Sequence, residues 1–98
     1  MEYAVERTVD VEFRGETFKC KLRMISMREK LAMIDDSGRF DKVAYFEASV
    51  PKIEGPEING RAITCGADVL DCPGTEGIYA QLQRIVNEWD IEEVDRKN

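Results

Sequence analysis

The sequence predicts a single α+β domain over residues 1–98: an N-terminal antiparallel β-hairpin packed against about three α-helices. Three observations predict it. Residues 5–24 alternate apolar and charged side chains around a glycine-containing turn. Ser26-Met-Arg-Glu29 follows at once and has the S-x-x-E pattern of a helix capping box. Two later stretches, 39–50 and 76–89, repeat apolar residues at helical spacing. A chain of 98 residues, 43% hydrophobic and 35% charged, has the size and composition of one small globular unit.

In the first strand Val5, Val9, Val11 and Phe13 share a face, with Glu6, Asp10 and Glu12 on the other. Arg7 interrupts the apolar face, so residues 9–13 are its best-specified part. Gly15 supplies the turn. In the second strand Phe18, Cys20, Leu22 and Met24 face inward, and Lys19, Lys21 and Arg23 outward. An acidic face beside a basic one supports pairing by about 0.2–1 kcal/mol per cross-strand pair.

Ser26 caps a helix predicted to run to about Asp36, with Met27, Leu31 and Ile34 on one side, ended by Asp35-Asp36-Ser37-Gly38. A second helix is predicted over 39–50, with Phe40, Val43, Ala44, Phe46 and Val50 at helical spacing, stopped by Pro51. Residues 51–64 contain Asn59-Gly60, a tight-turn signal, and are expected to form an irregular loop in preference to a small two-stranded ribbon. Ala67–Asp71 is expected to make a single helical turn, broken by Cys72-Pro73-Gly74. Thr75 is expected to cap a last helix over 76–89, with Ile78, Leu82, Ile85 and Trp89 on one face and Tyr79 and Val86 beside them. The charged tail 90–98 is expected to fray.

The composition narrows the chemistry. The net charge of −6 argues against non-specific nucleic-acid binding, which needs clustered Lys and Arg. The chain has no histidine and no CxxC pair, so a typical zinc site and Ser–His or Cys–His catalysis are not expected. Cys20, Cys65 and Cys72 read as reduced, mostly buried thiols. Asp35-Asp36 reads as a helix end, and Asp68 and Asp71 as helix-capping residues. The glycines form neither a dinucleotide fingerprint nor a phosphate loop. No cofactor, metal or catalytic residue is predicted. No apolar run approaches the roughly 18 residues that span a bilayer. The N-terminus lacks a basic region followed by an apolar stretch, so no membrane partner, no signal peptide and a cytoplasmic location are expected.

The order of parts resembles the tail assembly chaperones of long-tailed bacteriophages and prophages. The resemblance rests on the hairpin Val9–Phe13 and Phe18–Met24, the capped helix at Ser26-Met-Arg-Glu29, and Val43-Ala-Tyr-Phe46 in a second helix. It continues through the glycine turn Ile58-Asn-Gly60, the segment Val69-Leu-Asp-Cys-Pro73, and a closing helix Ile78–Trp89. It implies a non-enzymatic function in the host bacterial cytoplasm. Such a chaperone binds the long helical tape-measure protein before the tail tube forms, and also recruits tail-tube subunits. The chain is short for the pattern.

A helical partner needs an apolar groove with charged rims. The expected groove lies between the first and last helices, with Met27, Leu31, Leu82 and Trp89 as partner-binding residues. The same four residues also fit a core, which is the expected setting of Trp89, and Met24, Met27 and Met33 read as gap-filling core side chains before they read as an adaptable partner surface. Two other functions fit a chain of this kind: a small acidic phage-encoded inhibitor of a host protein, and an oligomeric virion connector subunit. Interspersed Lys19, Lys21, Arg23, Lys30 and Arg84 weigh against the inhibitor.

Overall fold

The computed structural model describes residues 5–96, with side chains through Trp89. Strand β1 (Glu6–Phe13) and strand β2 (Glu16–Arg23) form the hairpin, paired from Glu6↔Arg23 to Phe13↔Glu16. Arg14 (φ 51°) and Gly15 (φ 83°) both turn left-handed. That is the turn whose twist suits a two-residue hairpin. The register sets Thr8 against Lys21 and Asp10 against Lys19 on the outer face. Lys21 Nζ also lies 3.1 Å from Glu6 Oε2. Val11, Phe18, Cys20 and Leu22 are buried on the inner face.

Helix α1 (Met27–Ala32) carries the expected capping box in full. It stops at Ala32, short of Asp36. The chain prefers another arrangement there. The Asp35 carboxylate accepts from the N–H groups of Ser37 and Arg39, each at 2.9 Å, and Ile34 pairs with Phe40 in an isolated antiparallel bridge. That bridge holds Phe40 extended, so helix α2 (Lys42–Ser49) starts later than residue 39. Asp41 is its cap, accepting from Ala44 N–H at 3.0 Å. Tyr45, Phe46 and Ser49 are buried on α2, with Val50 just beyond it.

Residues 51–64 are not an irregular loop. Strand β3 (Lys52–Glu54) pairs with β2 through Cys20↔Ile53, which extends the hairpin to a three-stranded antiparallel sheet ordered β1-β2-β3. Strands β4 (Glu57–Ile58) and β5 (Arg61–Ala62) form a ribbon around Asn59 (φ 51°) and Gly60 (φ 79°). Gly55 allows this folding back: a Cβ there would stand 2.7 Å from the Ile63 carbonyl oxygen and 2.8 Å from Ile53 Cγ2.

Helix α3 (Gly66–Asp71) matches the expected helical turn. Helix α4 (Glu76–Arg96) keeps helical backbone past Trp89, beyond the expected end of the helix at 89; residues 97–98 lie outside the described residues. Thr75 does not cap α4 with its side chain. Its hydroxyl donates to the carbonyls of Val69 and Cys72, and its own carbonyl accepts from Ile78 and Tyr79 N–H. Ile78, Leu82, Val86 and Trp89 turn into the core, and the Tyr79 ring lies 4.8 Å from that of Phe46. The architecture is thus α+β, one sheet face covered by helices around one core. Among the described residues, no helix is long and apolar enough to cross a membrane.

Candidate partner-binding surface

Apolar residues that escape the core are the main surface feature. Met27 is 68% exposed and Leu31 59%, and no residue of α1 is buried. They sit one turn apart on one side of the helix. Ile34 and Phe40 extend the run across the bridge that joins them, and Val43 extends it into α2; all three are exposed. Of the residues expected at helical spacing in the second helix, Phe40 precedes α2 and Val43 lies on its exposed side. Tyr45 takes the inner position instead.

What holds α1 out is polar. Arg23, at the end of β2, donates to both Glu29 carboxylate oxygens, Nη1 to Oε1 at 3.1 Å and Nη2 to Oε2 at 2.7 Å. Such a two-pronged contact fixes orientation as well as distance. Glu29 also accepts from Ser26 Oγ at 3.1 Å, and its own N–H donates to Ser26 Oγ at 3.2 Å. The Arg23 guanidinium, then the Ser26 N–H and hydroxyl, hold the Glu29 carboxyl at about 2. A capped helix is thus pinned to the sheet by charge while its apolar side chains stay in water.

A cleft of ≈ 460 Å³ lies where α1 and α2 meet α4. Its wall combines Lys30 and Lys42 with Phe40, Tyr45 and Tyr79, and with the amides Gln83 and Asn87. The four residues expected to line a groove do not come together there. Leu82 (0% exposed) and Trp89 (2%) belong to the core, while Met27 and Leu31 lie on the outer surface. Helical periodicity marks the apolar stripe of α4 but carries no signal for what it packs on. Here it packs against the sheet side, with Arg7 stacked 4.7 Å over the Trp89 ring. The Trp89 indole N–H is buried without a hydrogen-bond partner among the described residues.

The remaining reactive groups serve the fold. Cys20 and Cys72 are buried and Cys65 half-buried, all as free thiols. Burial, with Asp10 nearby, pushes the Cys20 thiol up to about 12, so it is protonated at neutral pH. Asp68 accepts from Thr64 Oγ1 at 2.6 Å, Thr64 N–H at 2.8 Å and Arg61 at 2.9 Å, and these contacts hold its carboxyl far below the usual range. It ties β5 to α3, as Asp35 ties its own turn. Among the described residues, no group of three His, Cys, Asp or Glu side chains is placed to hold a metal ion. None of the family models, curated proteins or solved structures compared with the chain matches it.

Proposed function

We propose that this chain is a non-enzymatic binding module that holds a helical partner, acting as an assembly chaperone of the phage tail type. One observation carries the reading: α1 is fully capped and pinned, yet presents Met27 and Leu31 to solvent with no buried residue of its own. Ordering an apolar helix without burying it has a cost that a partner's apolar face would offset. The flexible thioether of Met27 suits a partner surface that varies along its length. The order of elements that resembles tail assembly chaperones supplies the partner class, a long helical tape-measure protein. The aromatic cleft beside α4 lies at the end of the same surface and would receive a large side chain of that helix.

The test is co-expression with a candidate tape-measure protein. Native chain is expected to keep that protein in the soluble fraction and to co-purify with it. Leu31→Lys is expected to abolish both while shifting thermal stability little, since exposed substitutions usually change it by about 0.5 kcal/mol or less. A tape-measure protein no more soluble with the chain than without it, and no complex recovered, sinks the reading.

A further inference from the structure

The free side of β1 is a second surface with its own selectivity. In a two-residue hairpin the pair flanking the turn exchanges both backbone hydrogen bonds, and bonded pairs then alternate along the ladder. Phe13↔Glu16 flanks the turn, so Phe13, Val11, Val9 and Arg7 point their backbone groups at β2. The 2.8 Å bond from Met24 N–H to Val5 O continues the same series. Glu12, Asp10, Thr8 and Glu6 therefore point theirs away from the sheet.

Glu12 already has a partner. Gln81 of α4 donates from Nε2 to Glu12 O at 2.7 Å and accepts from Glu12 N–H, at Oε1, at 3.3 Å. One side-chain amide thus offers what one residue of a neighbouring strand would offer. Among the described residues, no hydrogen bond reaches the outward backbone groups of Glu6, Thr8 or Asp10, and all three residues are exposed. The opposite edge differs: Ile53 N–H on β3 donates to Thr64 O at 2.8 Å. Among the described residues of the three-stranded sheet, the β1 edge, over about 13 Å from Glu6 to Asp10, keeps the open ladder on which strands are added.

We infer that the Glu6–Asp10 edge takes an extended segment of a partner protein, carrying Lys or Arg at alternate positions, as a further strand of the sheet. Charge selects this occupant. Glu6 and Asp10 project on the solvent face, and their existing cross-strand partners are Arg23 and Lys19. A second β1 would place these carboxylates opposite one another, so the edge repels its own copy and accepts a basic strand. The surface is separate from α1, and its occupancy does not depend on the helical partner.

The experiment is an NMR titration of the full-length isotope-labelled chain with a capped peptide copying residues 17–23, with Ser in place of Cys20. A control peptide carries Glu in place of each Lys and Arg. The basic peptide is expected to shift the Thr8 and Asp10 amides and slow their exchange. Asp10→Lys is expected to weaken it about tenfold. Thr8→Pro, which removes an outward N–H while leaving the β1–β2 ladder, is expected to abolish it. Leu31→Lys is expected to leave it unchanged, which separates this surface from the proposed chaperone surface. The proposal is overturned if the acidic peptide binds equally well, if Asp10→Lys binds unchanged, or if the shifts centre on α1 and α2. A dimer in solution that Thr8→Pro dissolves also overturns it, because the occupant is then a second copy.

Discussion

Leu31 and Leu82 are the same side chain in opposite settings. Leu82 is sealed between α4 and the sheet, whereas Leu31 stands 59% exposed on a helix that has no buried residue. Leu82→Ala is expected to cost about 2–5 kcal/mol, from lost burial and the cavity left behind. Leu31→Ala is expected to stay within about 0.5 kcal/mol of the native chain. Urea titration of the two variants checks this, and similar losses would mean that α1 packs in solution. Sequence periodicity makes the two residues look alike, since each belongs to an i, i+3, i+4 stripe. The stripe tells which residues share a face and nothing of what that face meets. Phe40 and Val43 are the same ambiguity in reverse: they fit a helical face, but the Ile34–Phe40 bridge draws the chain into an extended turn and leaves both outside.

Among the elements, α1 is the one whose stability is mostly polar. Since it buries no residue, loss of its cap has no core to disturb. Ser26→Ala is expected to weaken α1 by about 1 kcal/mol, so amide exchange around Leu31 quickens about fivefold with the global unfolding midpoint almost unmoved. Acid acts through the same contact. The folded-state carboxyl of Glu29 lies at about 2 against an ordinary 4.5. Its contribution is therefore complete above 4.5 and is lost as pH falls toward 2. An NMR titration of the Glu29 side chain should give a midpoint well under 4.5; a midpoint at or above it would mean that Arg23 does not hold Glu29 in solution. The hairpin and this cap were legible because their signals are local: period-two alternation, a glycine turn, and S-x-x-E. Strand β3 was not, because three residues between Pro51 and Gly55 are too few to show a period, and the strand exists only through its pairing with β2. Gly55→Ala tests that long-range fit. Its added methyl has no room beside Ile63 and Ile53. A loss of about 1–3 kcal/mol is expected, read in the global unfolding midpoint.

At the scale of the whole molecule, a plate of 42 × 35 × 16 Å holds one core between sheet and helices. The three cysteines sample that core at different depths and places. Cys20 sits in the central strand, paired with Val9 on one side and Ile53 on the other. Cys72 is buried just after α3, with its Sγ 3.9 Å from the Ile58 carbonyl oxygen, and Cys65 is half-buried just before α3. A thiol reacts as its thiolate and only where reagent reaches it. Cys65 is therefore expected to be modified rapidly in the native chain. Cys20 and Cys72 are expected to wait for unfolding. A single core of this size unfolds as one unit, so the two buried thiols should become reactive over the same range of urea, coincident with loss of helical signal. Mass spectrometry of alkylated peptides across a urea series measures all three at once. If Cys72 opens at lower urea than Cys20, the α3 region unfolds apart from the sheet. The single core would then be two, joined where Asp68 holds Thr64 and Arg61.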